Sequence, residues 1–334
     1  MSTTDVINFT RGVPANESFP IDEVIDAVSG VLRTQGASIL QYGPASGFGP
    51  LRDWLGEWLG VRPEQVIAAN GSLQLIEFLC LHLIKPGSVV LTESPTYDRA
   101  ITMLRRYGAN VVGIPLTADG PELPALEAAL RQHRPAFMYV IPDFQNPAGA
   151  TCSAAKRRRL VELAKEHDFL LLEDAPYRLL RYRGTDEPTL FSLAPERVLH
   201  MGSFTKLLGP GVRTGYMIGD AALIAKLVKI AEDTYISPGY VGQATTFEWC
   251  RRGMLAPQIE RLKKLYAPRL EACLAAIDRR MPDATTTRPD GGFFISLLPR
   301  SRGGGGRRAA RPQGGRVGQR PITDAMKRRC VGPK

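Results

Sequence analysis

The apolar residues of this chain follow two different periods. Between residues 21 and 33, Ile21, Val24, Ile25, Val28, Val31 and Leu32 recur three and four apart, which predicts an amphipathic helix. A Gly- and Pro-rich loop over 40–52 leads into a second helix carrying Leu51, Trp54, Leu55, Trp58 and Leu59. From residue 66 the pattern shortens. Apolar runs at 66–70, 89–93, 110–116, 136–141, 169–174, 197–201 and 214–219 alternate with helical stretches. Strand–helix alternation of this kind predicts an α/β fold: a three-layer α/β/α sandwich around a mostly parallel sheet of seven strands. The run at 169–172 is wholly apolar, so its strand is expected to be buried on both faces. Helices follow at 221–233, 241–252 and 257–277, then a turn and strand at 288–297. The four cations Lys156, Arg157, Arg158 and Arg159 read as a solvated helix face.

Beyond about residue 301 the periodicity stops. The run is Gly, Arg, Pro and Gln, which cannot bury enough surface to offset its ordering entropy, so disorder is expected for 301–334. The expected division is an arm at 1–20, a large domain at 21–250, a partial C-terminal small domain at 251–300 and the basic tail at 301–334.

The net charge of +10 at first invites a nucleic-acid partner. Residues 300–334 hold 11 Lys/Arg and one Asp, while the other 299 residues hold 32 basic and 32 acidic side chains. The whole excess therefore sits in the tail, and the body has no charge bias to recruit nucleic acid or an acidic membrane. No apolar run approaches the ~20 residues that a membrane span needs. Residues 1–10 lack the pattern of a signal peptide. The five cysteines are scattered without a Cys-x-x-Cys pair, as expected for reduced thiols in a cytoplasmic protein that binds no metal through them.

Candidate chemistry gathers at strand ends, where open α/β sheets place their ligands. Gly202-Ser203-Phe204-Thr205-Lys206 follows one strand, and Gly209, Gly211, Arg213 and Gly215 come close behind. Hydroxyls, apolar residues and glycines flank Lys206, so its amine is a candidate for desolvation, a lowered pKa and Schiff-base chemistry. Gly71-Ser72-Leu73-Gln74 opens a helix directly after a strand and offers free N–H groups to an anion; an N-cap by Ser72 is the plainer reading. Asp174 ends the most apolar strand and calls for a cationic partner, although it also suits an N-cap. Asn146-Pro147-Ala148-Gly149 is a turn signal. Tyr42, Tyr97 and Tyr177 lie in loops or at strand ends, where packing their rings is the ordinary role.

Taken in order, these segments resemble the fold type I pyridoxal 5′-phosphate (PLP) aminotransferases of class I/II, closest to the 2-aminoadipate and aromatic type. The matches are Ser203-Phe204-Thr205-Lys206 with Arg213, Asn146-Pro147-Ala148-Gly149, Asp174 with Tyr177, and Asp290-Gly291-Gly292-Phe293-Phe294. The resemblance implies that Lys206 holds PLP as an aldimine and moves the substrate's α-proton, with Asp174 and Tyr97 as further catalytic residues. It implies cofactor contacts from Gly71, Ser72, Leu73, Gln74, Tyr97, Asn146, Asp174, Tyr177, Ser203, Thr205, Lys206 and Arg213, and from Tyr42 across a homodimer. Arg11, Gly12 and Asn146 would meet the amino acid or 2-oxo acid. Opposite charges ~4 Å apart at an effective dielectric near 20 attract by about 4 kcal/mol, so Asp174 would keep a pyridine protonated at neutral pH.

The resemblance also implies a small-domain arginine for the substrate α-carboxylate, and no matching segment occurs after residue 300. A changed reading frame or a truncation near residue 300 would account for this. Other PLP reactions (decarboxylation, β-elimination, hydroxylation) and cofactor binding without turnover are therefore the alternatives to transamination. The same domain also occurs in regulators fused to a winged-helix region. No such region precedes residue 10, which favours the enzyme.

Overall fold

The computed structural model describes residues 12–298. Arg11 and the tail at 301–334 lie outside the described residues. Helix α1 (Ile21–Ile39) runs past the predicted end and bends at Gln35 (φ −136°). Helix α2 (Gly49–Leu59) starts with Pro50 in its first turn and stops at Gly60 in the left-handed region (φ 68°).

The alternating region then unfolds as β1 (Val66–Ala69), α3 (Ser72–Leu83), β2 (Val89–Ser94), α4 (Asp98–Arg106), β3 (Asn110–Thr117), β4 (Gly120–Pro121), α5 (Leu123–Gln132), β5 (Pro135–Val140), α6 (Ala154–Glu166), β6 (Leu170–Asp174), α7 (Leu190–Leu193), β7 (Val198–Ser203) and β8 (Gly215–Ile218). Helices α8 (Ala221–Tyr235), α9 (Tyr240–Arg251) and α10 (Leu255–Arg280) follow, and a two-stranded ribbon of β9 (Thr285–Thr286) and β10 (Leu297–Leu298) comes last.

One sheet of eight strands has the order β1-β8-β7-β6-β5-β2-β3-β4. Its inner strands pair in parallel, from β3 through β2, β5 and β6 to β7. The strand added to the seven predicted is β4, two residues long and antiparallel to β3. β8 runs antiparallel to both of its neighbours, β1 and β7.

Both faces of the sheet are covered. On one face Phe137, Tyr139, Leu172, Leu199 and Met217 pack with Leu75, Phe78 and Leu79 of α3 and Leu227 of α8. On the other face Met138, Val140 and Leu171 pack with Leu126 of α5 and Leu160 of α6, while Ala68 and Ile218 pack with Leu55 of α2 and Trp249 of α9. The pleat sends alternate residues to opposite faces, so Leu172 and Asp174 share the face of Tyr139, and Glu173 points the other way.

Three expectations need correction. Arg157 does not belong to a solvated face: its side chain is fully buried, paired with Asp143 at 2.7 Å and hydrogen bonded to the carbonyls of Cys152, Pro142 and Pro188. A guanidinium at this depth persists because a buried carboxylate and several carbonyls occupy its donors. Ser72 is not an N-cap, because Gly71 takes that position with φ 91°. The apolar residues of α1 form two stripes rather than one: Ala27 and Val31 are buried, whereas Ile21, Ile25 and Leu32 are exposed.

Candidate active site

The reversed strand β8 assembles one half of the site. Gly215 at its start lies beside Ala69 of β1 and beside Ser203 of β7. The turn into α3 and the lysine loop, 130 residues apart in sequence, therefore meet across a single residue. That residue has to be small, because a Cβ on Gly215 would lie 2.5 Å from the Ser72 nitrogen. The N–H groups of Ser72 and Leu73 open α3 with no acceptor within the helix and are left for a ligand, whereas the Gln74 N–H donates to the Gly71 carbonyl at 3.3 Å. Arg213, in the left-handed region (φ 54°), reaches back to donate to the Asn70 carbonyl at 2.8 Å, and its guanidinium lies against Gly71. Ser203 Oγ donates to Thr205 Oγ1 at 2.8 Å and accepts from the Thr205 N–H. Hydroxyls, free N–H groups and a guanidinium thus converge without a carboxylate among them, a donor set suited to a phosphate.

The other half holds the lysine and the aspartate. Lys206 closes a turn of 3-10 helix directly after β7. Its Nζ donates to the Gly12 carbonyl at 2.7 Å and stands 5.7 Å from the ring centres of Tyr177 and Phe293. Burial lowers the Lys206 ammonium to about 8, and the charge of Asp174 opposes that shift. Asp174 is 5% exposed and accepts from the Tyr139 hydroxyl at 2.6 Å through Oδ2. Burial pushes its carboxyl up to about 6, against the Tyr139 hydroxyl and the charges of His200 and Lys206. Its second oxygen, Oδ1, is buried and has no partner among the described residues. Burial pushes the Tyr177 hydroxyl far up, and the Asn146 amide, as its hydrogen-bond donor, counters this. Tyr97 is half buried at the entry to α4, and its hydroxyl is raised first by burial and then by the charge of Asp174.

The structure therefore brings Lys206, Asp174, Tyr177, Asn146 and Tyr97 around one space and sets Ser203, Thr205, Arg213 and the Gly71–Gln74 turn at its side. Gly12 joins through its carbonyl. Tyr42 does not join them within one chain, being 74% exposed. Two contributors escaped the sequence reading. Tyr139 sits in an apolar run where a tyrosine reads as core, and only its strand register exposes the match with Asp174. The second is Phe293, whose ring flanks Lys206 and which drew notice only as part of a glycine-rich turn.

PLP fits these residues. A buried carboxylate oxygen that lacks a donor suits a protonated ring nitrogen, the lysine amine is desolvated, and the neighbouring donor set suits a phosphate.

Comparison with known proteins agrees. The family model "Aminotransferase class I and II" matches residues 4–303. The 2-aminoadipate transaminase of Thermus thermophilus is 36% identical over 301 residues, covering 88% of this chain and 76% of that protein. Aromatic-amino-acid aminotransferase 1 of Thermococcus litoralis is 34% identical over 313 residues, covering 90% and 75%. Among solved structures, an alpha-aminoadipate aminotransferase of Thermus thermophilus complexed with N-(5'-phosphopyridoxyl)-L-leucine superposes with a TM-score of 0.84 at 36% identity, covering 87% and 76%. The chain belongs to the class I and II aminotransferases. It is a transferase of PLP fold type I, and pyridoxal phosphate is its cofactor.

Proposed function

We propose that this aminotransferase works as a cytoplasmic homodimer, with Lys206, Asp174 and Tyr97 as its catalytic residues and an amino acid of the 2-aminoadipate or aromatic type as donor to a 2-oxo acid. The substrate class is supported by the names of its relatives, a 2-aminoadipate transaminase and an aromatic-amino-acid aminotransferase. The observation that carries the residue roles is the coupling of a desolvated lysine with a buried aspartate that keeps one oxygen free.

PLP, when bound, supplies an aldehyde that condenses with amines and a ring that withdraws electrons from the substrate's α-carbon. The protein does the rest. Lys206 Nζ takes the proton from the substrate Cα; with a pKa near 8, about one amine in ten is already neutral at neutral pH. Positioned acid–base catalysis of this kind contributes roughly 10²–10⁴-fold. Asp174 would hold the ring nitrogen in its protonated form through Oδ1, while the Tyr139 hydroxyl keeps Oδ2 occupied. Tyr97 would cover the ring, and Asn146 and Tyr177 would bind the phenolic oxygen. The Gly71–Gln74 turn, Ser203, Thr205 and Arg213 would hold the phosphate. Gly12 and Asn146 would form the substrate end, with Arg11, outside the described residues, as the further residue proposed to meet the substrate.

Support for the dimer comes from α1. Its exposed residues Ile21, Ile25 and Leu32 line up within about 40° of one another at 3.6 residues per turn, and Leu40 and Tyr42, just after the helix, are exposed as well. Such a stripe marks a covered surface, and Tyr42 of the partner subunit would complete the phosphate site. The cytoplasmic assignment is supported by the free thiols of Cys80, Cys152, Cys250 and Cys273.

The deciding experiment is the visible spectrum of the purified protein before and after addition of single amino acids. Transamination predicts a cofactor band that collapses with 2-aminoadipate or an aromatic amino acid and returns with a 2-oxo acid, and that is absent from Lys206→Ala. A band that no amino acid changes would leave cofactor binding without turnover.

A further inference from the structure

Glu93 and Gln145 border the site, and the chemistry above uses neither. Glu93 is the penultimate residue of β2, and Gln145 immediately precedes Asn146; each is 1% exposed. A carboxyl group this deep is costly without a cation, and among the described residues no cation pairs with Glu93. Instead, its Oε2 accepts from two donors, the Ile141 N–H at 3.1 Å and Gln145 Nε2 at 3.1 Å.

Both ends of the Gln145 amide are in use. Nε2 also donates to the Pro95 carbonyl at 2.8 Å, and Oε1 accepts from the Ala148 N–H at 2.9 Å. The Gln145 backbone bonds Ala150 and Gly149 across the same turn. One side chain thus fastens the segment that leads to Tyr97 onto the turn that carries Asn146.

We propose that Glu93 and Gln145 form a positioning clamp that fixes the loop of Tyr97 and the turn of Asn146 at the spacing one pyridine ring requires. The inference rests on the assignment of Tyr97 and Asn146 to the cofactor. The clamp works through hydrogen-bond acceptance by Glu93 and does not need its charge. Burial pushes the Glu93 carboxyl up to about 8, with the charge of Asp174 adding to the shift and the two donors opposing it. A neutral carboxyl offers the same carbonyl-type oxygen as an amide, so glutamine can take its place.

The test compares Glu93→Gln, Glu93→Ala, Gln145→Ala and Asn146→Ala as full-length holoenzymes. Three quantities are read: PLP affinity by equilibrium dialysis, the pH midpoint of the visible cofactor band, and the melting temperature. Loss of one buried hydrogen bond beside the cofactor predicts about tenfold weaker PLP binding in Glu93→Ala and in Gln145→Ala. Both should move the band's midpoint in the same direction as Asn146→Ala. A fifth protein, carrying Glu93→Ala and Gln145→Ala together, should lose no more than either single variant, because the two residues act as a unit. Glu93→Gln should restore affinity and midpoint. Alanine variants that lower the melting temperature while leaving affinity and midpoint at wild-type values would overturn the clamp alone. So would a Glu93→Gln variant that behaves like Glu93→Ala. An Asn146→Ala variant with an unmoved band would overturn the site assignment and the clamp with it.

Discussion

In the folded chain Asp174 keeps one oxygen against the Tyr139 hydroxyl, and the other is buried without a donor among the described residues. Burial raises its carboxyl from an ordinary 3.8 to about 6, so the cofactor-free fold binds a proton that the unfolded chain has already released. Stability therefore falls as pH rises through this window, by at most about 3 kcal/mol at ~1.36 kcal/mol per unit. PLP-free Asp174→Asn should accordingly melt about 2–6 °C higher than wild type at neutral pH. The gap should close below about pH 4, and PLP affinity should fall, as thermal melts and dialysis will show. Tyr139→Phe removes the donor that holds the carboxyl down. Its PLP affinity should drop more steeply than wild type's as pH is lowered from neutral towards 6, which a binding titration at each pH measures. Lys206 and Asp174 were legible in the sequence because each ends an apolar strand with a charge that needs an explanation. The roles of Tyr139, Glu93 and Arg157 were not: Tyr139 is a polar tip on an apolar body, Glu93 lies at its strand's end as Asp174 does but takes its donors from a distant turn, and Arg157 is one cation among four. Their partners come from residues 14–52 positions away.

At the scale of elements, the apolar periods located every long helix and strand, because burial on a sheet face repeats with period 2 and on a helix with 3.6. They missed β4, whose two residues are too few to show a period, and they merged the stripes of α1, since spacing reveals an apolar face but not what covers it. The direction of β8 was hidden too, because strand order and polarity depend on pairing over long separations. That strand makes the sharpest demand on a single residue. Gly215→Ala would press a methyl group onto the backbone of Ser72 and Gly71, neither of which can rotate away. The expected result is a folded protein with PLP affinity reduced by about tenfold or more, from one misplaced phosphate donor. A variant with wild-type affinity would show that the turn and β8 are not tightly coupled.

At the scale of the molecule, the exposed stripe of α1 predicts that light scattering will find two chains per particle. Ile25→Glu places a charge in the centre of that stripe and should yield monomers with weakened PLP binding, because Tyr42 would no longer reach a second site. Dimers that survive the substitution would move the interface elsewhere. Charge accounting anticipated a neutral body, and the described helices include none long and apolar enough to cross a membrane. What would cover Ile21, Ile25 and Leu32 could not be read from one chain, since an apolar surface that a second copy would bury has the same composition as a core.

The order of strands also sets a timetable for biogenesis. Among the described residues β1 pairs only with β8, so a ribosome must release about 150 further residues before that edge finds its neighbour, roughly 8–30 s at ordinary elongation rates. Until then the nascent polypeptide carries a fully apolar strand with nothing to zip against, and half of its vitamin pocket does not exist. Cofactor capture must therefore be a late event, and any stalled translation product ending before Gly215 would be a client for chaperones rather than a smaller working enzyme.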